Sequence, residues 1–550
     1  MSKTFTLIQL TRLGDLVQTY QAAKALKEIH PEVNLKLIAR KNFAESLHFL
    51  LKDTFDEIIQ LDLESLFSSD LSTYLQNIES WTQQESVQKT DVVINLSFCE
   101  PSNYLSSIIN CDHKLGTRID SNNKVIVKDQ WSQIVYSMVM NGPYCPFNLV
   151  DIYKNILGVP PTVKETPEIE KHSIKKLAIH PFASAAKKKW KTSKWTEVIF
   201  KFLKDNPNAE VHLFGSKAEA NDAGLITNST LLKKYSSRLK SHVGKFNLEE
   251  TTKKLSTCTH FVGHDSLLGH LAKTQGLPTL TIALGTVRPM ETTPYGPHSY
   301  VLSPRSKCYP CFPDTECSFF KCHADLSYQA TSAVLNHFVE KSEIDPKVIY
   351  DEISSFHLDS LDIQEFGQSA TGWYTLEKIG NDSPIFRDFI RDIYRVALAF
   401  KLEEIEENLS FPNLNKEHLA KLEHLQQGIQ QYYELCEFGK KYSRFILQEV
   451  SKDEPNLEDI KSFANKIDEV DRLQELLKQT YSELVPIIDF YKVTKFNLSG
   501  ENIVELSESS YVVYNDNATI CSVLYELFGQ TINHLQKKFG VKAMTKDGNA

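Results

Sequence analysis

His264-Asp265-Ser266-Leu267-Leu268-Gly269-His270 sets a carboxylate, a hydroxyl and an imidazole where an apolar run gives way to a helical pattern. The residues just before it, His260-Phe261-Val262-Gly263, read as a strand, so the stretch marks a strand-to-helix junction. A helix start carries unpaired backbone N–H groups and a partial positive charge, which suits an anion. Earlier in the chain, Lys188-Lys189-Trp190 supplies cations. Two such elements in one α/β region suggest a cleft that holds a diphosphate.

Working outward, Lys176–His180, Glu210–Gly215 and Thr279–Ala283 are further strand-like runs with room for helices between them. The same alternation occupies the start of the chain. Phe5–Leu10 reads as a strand, followed by the turn Gly14-Asp15 and a helical pattern from about Leu16 to Ile29 that Pro31 ends. Val33–Ala39 and Asp91–Leu96 follow as strands. Continuous apolar runs separated by helices indicate parallel strands covered on both faces. The expected α/β architecture is two Rossmann-like domains, residues 1–165 and 174–340, facing a cleft. Ligands in such sheets sit outside the carboxyl ends of the strands.

Beyond residue 340 the character changes. Ser383-Pro384 offers a cap and a first-turn proline. Ile385, Phe389, Ile393, Val396 and Phe400 recur at helical spacing, as do Leu422, Leu425, Ile429, Tyr432 and Cys436, and Ile460, Phe463, Ile467, Val470 and Leu473. Residues 345–550 are therefore expected to form a mainly α-helical accessory region, its apolar stripes serving as core and carrying no chemistry.

The 550 residues are 41% hydrophobic and 24% charged, as in an ordinary globular protein. A net charge of -9 argues against nucleic-acid binding, which needs a strongly basic face. No apolar run reaches the roughly 20 residues of a membrane span. The stretch Met1–Leu10 lacks a signal-peptide core, so a cytoplasmic location is expected.

Several side chains carry candidate chemistry. Asp15 stands at a helix start facing the cleft, where it can take a proton from an attacking hydroxyl or simply cap the helix. Ser184 opens a run, Ser184–Trp195, with five lysines in eight residues. Ser184 is a candidate donor contact. The lysines are either a solvated face or a counter-charge for a diphosphate leaving group. Glu219 follows a strand and can hold ribose hydroxyls or start a helix. Ser266 and the adjacent N–H groups can bind phosphate, with His270 one turn on along the same face. Cys308, Cys311, Cys317 and Cys322 have metal-site spacing, which predicts a closed structural zinc or iron finger over 308–322. His323 is a substitute ligand in that reading. Free thiols or disulfides are the alternatives.

These motifs resemble those of the ADP-heptose heptosyltransferases of lipopolysaccharide synthesis. The resemblance spans about residues 5–335. It rests on Gly14-Asp15, on Lys188-Lys189-Trp190 with Trp195, on Asp265, Ser266 and His270, and on Gly285-Thr286 with Tyr295-Gly296. It implies a GT-B fold and an inverting single displacement from ADP-heptose, with no metal required in the chemistry. Asp15 would be the general base and Lys188 would stabilise the departing diphosphate. Glu219 would hold the ribose, the backbone near Phe246 would meet adenine, and Asp265 would orient the heptose hydroxyls. Ser266, Gly269 and His270 would line the phosphate site. The sequence departs from the family at Leu267, Lys191 and Asn95, where a glycine, a proline and an aspartate are usual. The cysteine cluster also resembles the iron finger of bacterial protein heptosyltransferases, which modify Ser or Thr of autotransporter adhesins and can assemble into rings. The acceptor is accordingly a protein hydroxyl or a lipopolysaccharide-core sugar. The helical region would recruit a protein acceptor or support a homo-oligomer. The competing reading is a non-catalytic, degenerate scaffold whose helical region binds a protein partner.

Overall fold

The computed structural model describes residues 3–66, 69–169, 172–341, 349, 360–380, 385–411 and 413–540. The chain forms two compact units, one of Met1–Asn123 with Phe147–Asn381 and one of Lys124–Pro146 with Asp382–Ala550.

The first unit contains two Rossmann-like halves. In the first half, strands β1 (Thr4–Gln9), β2 (Asn34–Arg40), β3 (Glu57–Leu61), β4 (Val92–Asn95) and β5 (His113–Ile119) run in the order β3-β2-β1-β4-β5. The pairs β1–β2, β1–β4, β2–β3 and β4–β5 are all parallel. Ile8, Ile38 and Val93 are buried from adjacent strands, which explains why these strands read as unbroken apolar runs.

A short strand, β6 (Val125–Val127), belongs with the helical unit. The second half adds β7 (Lys176–His180), β8 (Glu210–Leu213), β9 (Leu239–Ser241), β10 (His260–His264), β11 (Thr279–Ile282), β12 (Ser299–Pro304), β13 (Leu361–Gln368) and β14 (Tyr374–Lys378). Their order is β14-β13-β12-β11-β10-β7-β8-β9. The first five strands in sequence, β7–β11, repeat the winding of the first half, and both sheets reverse direction beside their own first strand. In doubly wound sheets that reversal opens a crevice at the carboxyl ends of the strands. The switch points fall between β1 and β4 and between β7 and β10. They put Leu10–Asp15 at one crevice, and Pro181–Lys188 and Asp265–Ser266 at the other.

Residues 361–378 differ from the expected helical character. β13 pairs antiparallel with β12 and with β14, extending the second sheet by a hairpin. The antiparallel strand β13, second from the edge of the sheet, alternates polar and apolar residues in Leu361-Asp362-Ile363-Gln364 and carries no continuous apolar run to betray it.

The second unit is mainly helical. Long helices Lys416–Val450 and Ile503–Phe539 pack along one another, flanked by Phe386–Glu403, Leu457–Thr480 and Val485–Phe496. Leu422, Leu425, Ile429, Tyr432 and Cys436 are all buried, as their spacing predicts. Two glycines on the helix Lys416–Val450 admit close neighbours, Tyr514 of the second long helix and Tyr481 at the end of Leu457–Thr480. A Cβ on Gly439 would lie 2.5 Å from the Tyr514 ring, and one on Gly428 would lie 2.7 Å from Tyr481. The stripe on Leu457–Thr480 is shallower, with Ile460 and Val470 buried but Leu473 exposed. The Ser383-Pro384 helix start lies outside the described residues. Among the described residues no helix is long and apolar enough to cross a membrane.

Candidate active site

The side chains at the second switch point are fixed by one buried histidine. His264 ends β10. Its Nε2 accepts from the Trp190 backbone N–H (3.0 Å) and from the Trp195 indole N–H (3.1 Å), while Nδ1 lies 3.2 Å from the Ile282 carbonyl. That pattern requires a neutral ring with its proton on Nδ1. Burial pushes the His264 pKa down to about 3, so the ring stays neutral. Trp190 and Trp195 pack edge-on to one another, and Trp195 edge-on to His264. The lysine run is thereby anchored from beneath by two buried tryptophans. Gly285 presses on the same loop. It has φ +60, and a Cβ there would lie 2.3 Å from the Lys187 carbonyl oxygen.

So anchored, the run does not form a solvated stripe. Lys187 Nζ donates to the carbonyls of Pro313 and Thr315, and Lys189 pairs with Asp222 at 2.8 Å. Lys188 turns to the switch point and meets Asp265 Oδ2 at 2.7 Å. Burial raises the Asp265 pKa. The Lys188 charge and hydrogen bond, His270 and a Thr292 hydrogen bond outweigh it, so the group ends below the ordinary carboxylate range.

Ser266 precedes the helix Leu267–Thr274 as its N-terminal residue but does not cap it with its side chain. Its hydroxyl is instead 2.9 Å from His180 Nδ1, and His180 Nε2 is 3.8 Å from Glu219 Oε2. Glu219 also accepts from the Ser216 N–H (2.6 Å) and hydroxyl (2.9 Å), closing a capping box. Burial raises the Glu219 pKa, but the His180 contact and the Ser216 bonds hold it down overall. Phe246 follows β9 in a loop tied to this one by the Gly244 N–H to Gly215 carbonyl bond, 3.0 Å. Its ring is 40% exposed and stacks on His242 at 5.5 Å, which in turn stacks on His212. Gly269 packs close to Pro294, and Ser184 is exposed in the loop after β7.

The first half contributes Asp15, in the opening turn of the helix Leu13–Ile29. Asp15 is not the cap, because Arg12 holds that position. The Thr11 hydroxyl lies 2.7 Å from Asp15 Oδ2 and 2.6 Å from Gln9 Oε1, a polar chain that fixes the carboxylate. The two halves meet here. A Cβ on Gly14 would sit 3.7 Å from His270 Cδ2. His270 Nδ1 is buried and has no hydrogen-bond partner among the described residues. Burial lowers the His270 pKa against the pull of Asp265 and Asp15, leaving a neutral imidazole between two carboxylates. Asn95, in place of the usual aspartate, is structural: Nδ2 donates to the Thr117 carbonyl (2.8 Å) and Oδ1 accepts from the Ser97 N–H (3.0 Å).

The cysteine finger is not present. Among the described residues no group of three or more His, Cys, Asp or Glu side chains is placed to hold a metal ion. Cys308 is exposed whereas Cys322 is buried. Cys311 Sγ donates to the Cys308 carbonyl (3.5 Å), and Cys317 Sγ accepts from the Phe320 N–H (3.4 Å). Burial pushes the Cys311 and Cys322 thiols up and favours their protonated forms. The expectation of a structural iron or zinc ion on Cys308, Cys311, Cys317 and Cys322 is thus overturned: CxxC spacing fixes how far apart thiols are in sequence, not where they point. His323 is likewise no substitute ligand. Its Nε2 is 2.8 Å from the Lys187 carbonyl, and its own carbonyl accepts from the Trp190 indole at 3.2 Å.

The model of glycosyltransferase family 9 (heptosyltransferase) matches residues 147–323, the stretch that holds every second-half residue described above. This region is a glycosyltransferase family 9 domain. The chain is 22% identical over 315 residues to the lipopolysaccharide core heptosyltransferase OpsX of Haemophilus influenzae, a match covering 55% of this chain and 84% of that one. Among solved structures it is similar to the E. coli ADP-heptose lipopolysaccharide heptosyltransferase II, with 16% identity, TM-score 0.45, and coverage of 62% of this chain and 99% of that one. It is also similar to a glycosyl transferase family 9 protein of Veillonella parvula, with 17% identity, TM-score 0.40, and coverage of 54% and 85%. The match leaves residues 1–146 and 324–550 outside it.

Sequence reasoning missed His180 and His264, both at carboxyl ends of the strands flanking the switch point. That position was their signal. Replacing His264 with alanine leaves the Trp190 N–H and the Trp195 indole unpaired and opens a void. The expected cost is about 3 kcal/mol, read from urea unfolding of the variant against wild type. Acid acts on the same anchor. The pKa values of His260 and His264 lie at about 3 and that of His242 at about 4, all lowered chiefly by burial. Unfolded histidines titrate near about 6.5. Between these limits the unfolded chain binds more protons, so stability is full above that pH and declines as pH falls through it. A thermal midpoint that does not fall between pH 6.5 and 4 would contradict the neutral-histidine assignment.

Proposed function

We propose that this family 9 glycosyltransferase moves a heptose from ADP-heptose to a hydroxyl acceptor, with inversion at the anomeric carbon. The observation that carries the proposal is the Lys188–Asp265 pair beside an uncapped helix start, with Asp15 on the facing half across the Gly14–His270 contact. In this reading residues 1–165 take the acceptor, 174–340 the donor, and the helical region from 345 is accessory. The acceptor oxygen attacks the anomeric carbon as its proton passes to the Asp15 carboxylate. The bond from that carbon to the diphosphate oxygen breaks, and the electron pair leaves with ADP. Lys188 and the N–H groups following Ser266 receive the developing charge. Ser184, Ser266, Gly269 and His270 line the diphosphate, and Asp265 holds Lys188 and orients the sugar hydroxyls. Glu219 takes the ribose, and the exposed face of Phe246 lies beside adenine.

For the acceptor we infer a sugar hydroxyl of the lipopolysaccharide core, the acceptor named for the Haemophilus influenzae relative. A Ser or Thr of a protein is the second reading. It is favoured by the helical unit, which lies outside the family match and would recruit a polypeptide or a second copy of the chain. The test offers isotopically labelled ADP-heptose with either heptose-deficient core oligosaccharide or a Ser/Thr-rich polypeptide. Label in the oligosaccharide supports the first acceptor and label in the polypeptide the second. Label in neither, with donor intact, contradicts the proposal.

A further inference from the structure

The first unit holds a cavity of about 280 Å³ that shares no residue with the candidate active site. It is walled by the later turns of the helix Leu13–Ile29, by Lys273 and Thr274 at the end of the helix Leu267–Thr274, and by the loop Tyr295–Pro297. Lys24, Lys154, Lys164 and Lys273 line it against the carboxylates of Glu28 and Glu165. Two of these lysines are already compensated. Lys154 pairs with the buried Asp151 at 3.4 Å, and Lys164 with Glu28 at 3.5 Å.

Lys273 is different. Its ammonium donates to the backbone carbonyls of Leu277 (3.4 Å) and Pro297. No ion pair to a carboxylate joins it among the described residues, and burial draws its pKa down to about 7. A buried cation without a counter-ion is costly, and an anion in the adjoining space relieves that cost. A second group in the wall lacks a partner as well. Gln21 Nε2 donates to the Tyr295 carbonyl at 3.4 Å, while Gln21 Oε1 is buried without any hydrogen-bond donor among the described residues. An amide oxygen left in that state asks for a hydroxyl or N–H from a ligand. The dianion of a phosphate monoester has no proton left to donate; a hydroxyl of its sugar does.

We propose that this cavity binds a small phosphorylated sugar, its phosphate against Lys273 and Lys24 and a hydroxyl donating to Gln21 Oε1. A monosaccharide phosphate suits the volume. The two helices that wall the cavity carry Asp15 in the first turn of one and Ser266 at the start of the other, at the ends away from it. Ligand here ties together the far ends of both elements that present the active site. The inference does not depend on the identity of the donor.

Isothermal titration of the full chain with a hexose 6-phosphate and with inorganic sulfate tests it, each with and without saturating ADP. The expected result is saturable binding of the sugar phosphate that persists in ADP. Lys273→Met and, separately, the exposed-site variant Lys24→Met each weaken it by about tenfold, the loss of one charge-assisted contact. Gln21→Ala weakens the sugar phosphate but not inorganic sulfate, which has no hydroxyl to donate. Displacement by ADP, absence of saturable binding to the folded wild-type chain, or affinity indifferent to all three variants overturns the proposal. ADP binding is measured in the same series, so a failure of the donor reading is seen separately.

Discussion

Asp15→Asn lowers turnover by roughly 10²–10⁴-fold while nucleotide affinity stays at its wild-type value, the signature of a lost general base. Asparagine keeps the shape of the carboxylate and can still accept from the Thr11 hydroxyl that lies 2.7 Å from Asp15 Oδ2. What it loses is the capacity to take the acceptor proton. The neighbouring His270 does not replace it. Burial holds that ring neutral, and its unpartnered Nδ1 is enclosed. Steady-state rates and ADP titration of the same preparation check the split. A variant that loses ADP binding along with turnover would mark Asp15 as a ligand contact.

Lys188→Met has an effect of similar size by a different route. In the proposed mechanism it removes the cation that meets the departing diphosphate, worth roughly 10²–10³ in turnover for a preorganised electrostatic group. It also strands Asp265, whose carboxylate is buried and held ionised chiefly by Lys188 against the burial that would neutralise it. Breaking one side of a buried pair costs about 3–5 kcal/mol, so the variant is less stable as well as slower. The double variant Lys188→Met with Asp265→Asn separates the two effects. It regains stability, because no buried charge is left alone, and it stays slow. Recovery of turnover in the double variant would show that Lys188 acts only by neutralising Asp265.

Much of this was legible in the sequence because parallel sheets write themselves plainly. β1, β4, β7, β10 and β11 are short runs dominated by apolar and β-branched residues, since both faces of each are covered. The strand-to-helix stretch after β10 named Asp265, Ser266 and His270 together. β13 and β14 were not legible, since an edge hairpin in an otherwise parallel sheet alternates its residues and falls inside a region dominated by helical periodicity. The short strand β9 illustrates a different limit: three residues leave little pattern to read. Within the site, Lys188 could be picked from its run of five only by position. What selects it is three-dimensional, namely His264 beneath Trp190 and Trp195, Gly285 pressed on Lys187, and Asp222 occupied with Lys189. The cysteine cluster failed for the same reason in reverse. Its spacing was right, but among the described residues the thiols do not form a group of three or more placed to hold an ion. Glu219 caps its own short helix and also contacts His180 at the switch point.

The central claim is that the second half of the first unit is a donor site built for an ADP-linked heptose. Calorimetric titration of the full chain with ADP-heptose, with other ADP-sugars, and with UDP- and GDP-sugars tests it most directly. The account predicts saturable binding of ADP-heptose, weaker binding of the other ADP-sugars, and none of the uridine or guanosine donors. A folded chain that binds no nucleotide sugar, or that prefers a UDP- or GDP-linked donor, would contradict it.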